Sequence, residues 1–313
     1  MMTIFSAISA FLLILAIGAP ASRQPTEPPP PPLVKENATV KLSDHVYVIP
    51  DGNVGGVPNV GIIVGSKGTL IVDTGLGPRN METVLRETAK VSRNADLYLV
   101  ATHFHPEHAG GSSALPANAK FIVARVQQQD IEELGPGMMK TFAGMSPLHA
   151  ELLNNVQFRK PDLLFDSEYR LDLGGVNVVF RALGPTHTRG DTIVFVEQDR
   201  VLFAGDIVMS QRFLAFGAQS SGETWLKVLD QLEALRPDRI VPSHGVMGGE
   251  SLIARQRTVL MQVRTRVGEL KAQGLSADNV ASTVTSELQA KYPSWTTPNR
   301  VGAAARSFYS EMK

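Results

Sequence analysis

The sequence predicts a layered α/β domain that continues into a helical extension at its C-terminal end. Short apolar runs of strand length alternate with longer stretches at helical spacing. Several of these runs stop within two residues of an Asp or His, at Asp73, His103, Asp206 and His244. Polar groups repeatedly set where strands end suggest one site along a sheet edge. Beyond Gly249, Leu252, Val259, Leu260, Val263, Val267 and Leu270 recur at helical spacing, so residues 250–313 read as the extension and 33–249 as the layered domain.

Along the chain, residues 1–22 carry no charged side chain and hold the apolar run Phe11 to Ile17, followed by Ala19-Pro20-Ala21. This reads as a secretory signal and places the protein outside the cytoplasm, periplasmic or secreted, with an uncleaved membrane anchor as the alternative. Pro25 and Pro28 to Pro32 make residues 23–32 a stiff linker of polyproline type. Val60 to Val64 and Leu70 to Asp73 form an apolar hairpin around Gly68, Arg79 to Arg93 suits a helix, and Ala95 to Ala101 is a strand that delivers the first histidines. Phe121 to Ala124, Val176 to Leu183, Thr192 to Val196 and Val201 to Ala204 read as strands, Gly222 to Leu235 as a helix, and Arg239 to Pro242 as a short strand ahead of His244. Between Ile131 and Leu164, Gly135-Pro136-Gly137 and the side chains of Met138, Met139, Phe142 and Met145 lack strand alternation and suit helices over the site. With Phe213 and Phe216 they read either as ordinary helix core or as an adaptable apolar entrance.

The 313 residues balance 30 Lys and Arg against 30 Asp and Glu, so no broad basic field exists to hold nucleic acid. A membrane contact is expected only if the N-terminal segment stays attached. Cysteine is absent, which excludes disulfides, thiolate catalysis and Cys-ligated zinc, and leaves His and carboxylates as metal ligands. No pattern specifies an oligomeric state.

Thr102-His103-Phe104-His105-Pro106-Glu107-His108 places three of seven histidines within six residues. His103 and His105, two apart in extended backbone, point to one side, and Pro106 can start a helix that lifts His108 onto a neighbouring vertex. Neutral imidazole suits zinc, and carboxylates complete such sites. Taken singly, His187 and His244 also fit satisfied core histidines, Asp73 and Asp206 turn carboxylates, and Glu107 an acid favoured in a helix's first turn. His45 and His149 have no such context and read as structural or exposed.

From Val46 to about Gly245 the chain resembles the metallo-β-lactamase superfamily. Its H-x-H-x-D-H loop matches His103 to His108 with Glu107 in place of Asp; Asp73, His187, Gly205-Asp206 and Ser243-His244-Gly245 fall in the family's motif order. The resemblance implies a four-layer αββα sandwich. It implies one metal held by His103, His105 and His187, a second by His108, His244 and Glu107, Asp206 between them, and Asp73 orienting a ligand. The cofactor expected is Zn2+, in two copies, with iron or manganese as alternatives. By lowering the pKa of water from 15.7 to about 7, such ions supply hydroxide at neutral pH, with Asp206 and Glu107 as the catalytic carboxylates. The resemblance thus implies a hydrolase acting on the ester, thioester or lactone bond of a small molecule, which the entrance reading of the Met and Phe residues would make apolar. A β-lactamase is the alternative, although family β-lactamases usually carry Cys or Ser where Asp206 stands; an iron-dependent oxidoreductase of sulfur dioxygenase type is the third reading.

Overall fold

The computed structural model describes residues 33–313. The secretory signal and the proline-rich linker expected in residues 1–32 lie outside the described residues. Residues 33–313 belong to one compact unit. Among the described residues no helix is long and apolar enough to cross a membrane.

Two sheets form the centre. The first contains β1 (Val40–Lys41), β2 (Val46–Ile49), β3 (Val60–Val64), β4 (Gly68–Val72), β5 (Asp96–Val100), β6 (Lys120–Ala124) and β7 (Leu163–Phe165), in that spatial order. It is antiparallel from β1 to β4 and parallel from β4 to β7. The second runs β12 (Arg239–Pro242), β11 (Val201–Gly205), β10 (Thr192–Val196), β9 (Asn177–Ala182) and β8 (Glu168–Asp172), antiparallel except for the parallel β11–β12 pair.

Side chains alternate across each sheet, which is why most strands are apolar on both faces. In β4, Leu70 and Val72 enter the core between the sheets with Val100, Phe180, Val194 and Phe203, whereas Ile71 faces the opposite side. There it meets Met81 and Val84 of α1 (Pro78–Val91), and Ile131 of α3 (Arg125–Ala143) belongs to the same outer core. The outer face of the second sheet, through Ile193, Leu202 and Ile240, packs on Trp225 and Leu229 of α5 (Gly222–Ala234). The same core takes in Val263 of α6 (Ser251–Ala272), Val284 of α7 (Ala277–Lys291) and Phe308 of α8 (Val301–Glu311). The result is the four-layer αββα sandwich that the sequence predicts, with helices to its C-terminal end.

Helices α3 and α4 (Pro147–Leu152) fall where the sequence suits helices, whereas strands β7 and β8 are not marked in it. Residues 131–164 contain most of α3, which runs unbroken through Gly135-Pro136-Gly137, then α4 and the start of edge strand β7. β8, with the exposed polar residues Glu168, Arg170 and Asp172, has a single buried position, Leu171, and so gives no apolar run to read.

Glu87 on α1 is a buried carboxylate tied by three donors outside the site. It is buried, and accepts from the Asn37 N–H at 2.9 Å, from the Thr39 hydroxyl at 2.5 Å, and from Lys90. Burial alone would raise its pKa, but these donors outweigh it and hold the carboxyl at about 2. Its stabilisation is therefore full above the ordinary value of 4.5 and lost as pH falls towards 2. Because Lys90 is half exposed, the ion-pair part is screened, and Glu87→Ala is expected to cost about 1–3 kcal/mol at pH 7, chiefly from the orphaned donors. Urea midpoints of variant and wild type should converge below pH 4.5; a constant gap down to pH 3 would contradict this assignment.

Candidate metal centre

The site lies where strands of both sheets end. β4 ends at Val72 and Asp73 follows at φ 67, a left-handed conformation that Asp tolerates better than most side chains. Beyond β5, the Thr192 N–H donates to the Thr102 carbonyl at 2.7 Å and ties the second sheet to the start of the histidine loop. His105 is extended at φ −62, ψ 150, and Pro106 opens the short helix α2 (Pro106–Ala109), whose first turn closes when His108 N–H donates to His105 O at 2.9 Å. That switch from extended to helical backbone turns His108 away from the line of His103 and His105. Asp206 follows β11 through Gly205 at φ 57, where an added Cβ would also crowd the Thr102 side chain at 3.1 Å.

All seven predicted ligands converge. His103 Nε2 and His187 Nε2 each lie 3.1 Å from His105 Nδ1. Such a spacing is close to the roughly 3.3 Å edge of a tetrahedron whose corners stand about 2.05 Å from a central zinc. His108, Glu107 and His244 form a second donor group, and His103, His108 and Asp206 a third that links the two. Asp206 lies between them: Oδ2 is 3.5 Å from His187 Nε2, while Oδ1 is 3.7 Å from His244 Nε2 and 4.0 Å from His108 Nε2. Glu107 Oε1 stands 3.7 Å from His108 Nε2, so its extra methylene still brings the carboxylate to the second group.

Several ring nitrogens are fixed by partners behind them. His187 Nδ1 donates to the Ala215 carbonyl at 2.7 Å, which leaves Nε2 with its lone pair facing the cluster. His108 Nδ1 donates to Asp73 Oδ2 at 2.9 Å, and Asp73 is itself fixed by the Thr102 N–H at 2.7 Å and the Thr102 hydroxyl at 3.0 Å. Asp73 thus orients His108 from behind, the place the resemblance implies for it.

Burial together with the neighbouring imidazoles pushes His103 and His105 well below the ordinary histidine value, and His244 down to about 4. These three are neutral near pH 7, the form that ligates metal. His108 differs: burial would lower it, but Asp73, with Glu107 and Asp206, holds it up at about 9. Burial raises the Glu107 carboxyl to about 7, while His244, His187, His108 and Arg300 outweigh burial at Asp206 and keep it far below the carboxylate range. Glu107 Oε2, His108 Nε2 and Asp206 Oδ1 are buried without a hydrogen-bond partner. Three buried polar atoms without a partner, on three of the clustered residues, fit a cation bound among them.

Sequence reasoning missed the residues that hold the loops. Asn59 Nδ2 donates to the carbonyls of Pro242 at 2.8 Å and Gly245 at 2.9 Å, and Asp51 accepts from Gly245 N–H at 2.8 Å, so the two brace the His244 loop. Asp191 accepts from Thr188 N–H and hydroxyl at 2.9 and 2.6 Å, and from Thr186, bracing the His187 loop. The only signal of them is the Asp and Asn next to glycine-rich turns. His45 pairs with Asp199 at 2.8 Å and His149 with Ser146 at 2.7 Å, both apart from the cluster.

A pocket of about 410 Å³ opens beside His105 and His187, with Phe104, Leu134 and Met138 among its walls. The methionine and aromatic residues read as core or entrance divide between the two. Met138 lines this pocket, Phe142 is buried 5.8 Å from the His105 ring, Met145 is exposed, and Phe213 and Phe216 pack on Trp295 and Trp225.

The pattern that describes the metallo-beta-lactamase superfamily matches residues 53–244, a span that includes every member of this cluster. The chain belongs to the metallo-beta-lactamase superfamily. Its named relatives include a sulfatase and a thioesterase, and its clustered His, Glu and Asp side chains could hold metal ions. It is similar to the linear primary-alkylsulfatase of Pseudomonas sp. (strain ATCC 19151), 23% identical over 261 residues that cover 71% of this chain and 49% of that protein. It is also similar to the acyl-coenzyme A thioesterase MBLAC2 of Homo sapiens, 24% identical over 219 residues, covering 62% and 75%. Among solved structures, the sec-alkylsulfatase Pisa1 from Pseudomonas sp. superposes with a TM-score of 0.67 at 16% identity, over 88% of this chain and 50% of that one. The chain therefore spans about half the length of the alkylsulfatases it matches.

Proposed function

We propose that this superfamily member is a zinc-dependent hydrolase of esters or thioesters with an apolar acyl chain. The observation that carries this reading is the adjacency of the two features above: a buried donor set built around Asp206, and a largely apolar pocket that opens on His105 and His187. His103, His105 and His187 would hold one ion, His108, His244 and Glu107 a second, and Asp206 would contact both. When bound, such ions supply Lewis acidity, making a nucleophile from water at neutral pH and polarising the scissile carbonyl.

The chain's own residues do the rest. Phe104, Leu134 and Met138 bind the acyl chain and exclude water from the side of the pocket nearest His105. Asp206, held ionised and buried between the two histidine groups, is placed to orient a polar group by accepting its hydrogen bond. Glu107, with Oε2 free, is the carboxylate at which a proton can be held. The carboxylate at Asp206, where a β-lactamase of the family would carry Cys or Ser, supports carbonyl esters over β-lactams.

Elemental analysis of the purified full chain should give two equivalents of zinc. p-Nitrophenyl decanoate should be turned over at least about tenfold more efficiently than p-nitrophenyl acetate, given about 0.8 kcal/mol per buried methylene. Nitrocefin should be cleaved more slowly than either. Protein that takes up no transition metal under any loading condition, iron with oxygen uptake in place of hydrolysis, or equal turnover of long and short esters would overturn the proposal.

A further inference from the structure

Helix α3 forms one wall of the pocket beside His105 and His187. Asp130, Leu134, Gly137, Met138 and Thr141 line it, and their spacing keeps a single face of the helix towards it. The charges on this side are already answered: Asp130 accepts from Arg189 and from the Gly190 N–H at 3.2 Å, and Arg189 also reaches Glu133 at 2.6 Å. The Thr141 hydroxyl donates back to the Gly137 carbonyl at 3.0 Å. A neutral, apolar chain can therefore lie along this face without stranding a charge.

Gly137 is the residue of that face for which the fold gives no reason. Inside a helix glycine is less favourable than alanine, because its backbone loses more freedom on folding. The usual compensations are a left-handed backbone or a neighbour too close for a side chain. Gly137 has neither: it sits within α3, and nothing lies within 4 Å of a Cβ added there. Gly135, two residues earlier, does have such a reason, since its Cβ would meet the Phe158 ring at 2.9 Å. Among the described residues Gly137 is the one glycine within a helix whose Cβ would enter open space, and it borders the pocket. The loop Gly217-Ala218-Gln219 supplies a further part of the lining, again with two small residues.

We propose that Gly137 is a specificity-determining residue: by carrying no side chain it keeps open the part of the pocket that takes the acyl chain, and so sets how long a chain is accepted. This rests on the hydrolase reading and adds to it the position at which chain length is gauged. A larger side chain here would stand on the same helix face as Leu134 and Thr141 and take up part of the 410 Å³. Space needed by the fold and space kept for a ligand respond oppositely to filling. Filling the first destabilises, whereas alanine at Gly137 should stabilise the helix, and larger residues should narrow what binds.

The test uses the metal-loaded full chain carrying Gly137→Ala, Gly137→Leu or Gly137→Phe, with metal content as the measure of an intact centre. Gly137→Ala should raise the melting temperature by about 1–2 °C. In calorimetric titration with 1-octanol, a neutral chain that cannot be hydrolysed, Gly137→Leu should bind about tenfold more weakly than wild type, the effect of losing contact for about two methylenes. Gly137→Ala should fall between the two. In turnover, the preference for p-nitrophenyl decanoate over p-nitrophenyl acetate should drop about tenfold in Gly137→Leu and further in Gly137→Phe, through KM for the long ester. Octanol bound as tightly by the Leu and Phe variants as by wild type, or not bound by wild type at all, overturns the role of Gly137, and so does an unchanged preference between the esters. Loss of folding in Gly137→Leu overturns it as well, because the space would then belong to the fold. None of these results touches the hydrolase reading, which stands on turnover itself. Wild type that cleaves neither ester overturns that reading, and the octanol titration still decides Gly137.

Discussion

Asp206→Ala is expected to lower kcat/KM by at least about 10²–10³-fold, the loss seen when a charge-stabilising group is removed from a water-excluded site, and to bring bound metal below one equivalent. Asp206 is 5% exposed and is the one side chain whose two oxygens face different donor groups, with Oδ2 towards His187 and Oδ1 towards His244 and His108. Removing it leaves His108, His244 and Arg300 without the anion that faces all three, and withdraws the carboxylate shared by the two ligand sets. Asp206→Asn separates charge from shape: it fills the same volume and keeps one acceptor oxygen, so a loss as large as that of alanine would locate the effect in the charge. Elemental analysis and kcat/KM on the same preparation make the comparison. Wild-type metal content and turnover in Asp206→Asn would show that this carboxylate does not join the two groups.

The histidine cluster was legible because its geometry is local. Spacing of two in extended backbone and a proline at the first helical position suffice to aim His103 and His105 one way and His108 another. Asp73, Asp206 and His244 were legible because each follows an apolar strand. β8 was not, since its polar exposed positions leave only Leu171 to mark it, and α3 runs unbroken through Gly135-Pro136-Gly137 because its packing through Ile131 and Phe142 overrides them. The braces Asp51, Asn59 and Asp191 act by accepting or donating hydrogen bonds to loop backbone, a role open to any turn-side Asp or Asn. Arg212 and Thr296 are 84 residues apart, and a backbone bridge brings them together. Nothing in their neighbours' pattern marks that contact, and it is why the helical tail reads in sequence as an appendage.

The two substitutions at Asp73 should part company, and that divergence distinguishes an orienting residue from a merely structural one. Asp73→Ala removes the acceptor of the buried Thr102 N–H at 2.7 Å and the partner of His108 Nδ1 at 2.9 Å, and forces an alanine to φ 67. With His108 fully buried, losing its counter-charge compares with breaking a buried ion pair, about 3–5 kcal/mol, so much of the protein should fail to fold at 37 °C. Asn tolerates the left-handed backbone and still accepts from Thr102, so Asp73→Asn should keep most of the stability. What it cannot keep is the carboxylate that fixes His108 with its Nδ1 proton inward and Nε2 towards Glu107 and Asp206. Metal affinity should therefore fall about 10–100-fold, the usual cost of losing such a partner behind a ligand. The loss should fall on the ion held by His108, His244 and Glu107, leaving one equivalent bound by His103, His105 and His187. Zinc stoichiometry and competition with a chelator read this directly. Two tightly held ions in Asp73→Asn would mean that His108 finds its orientation without Asp73, and that the buried pair serves the fold alone.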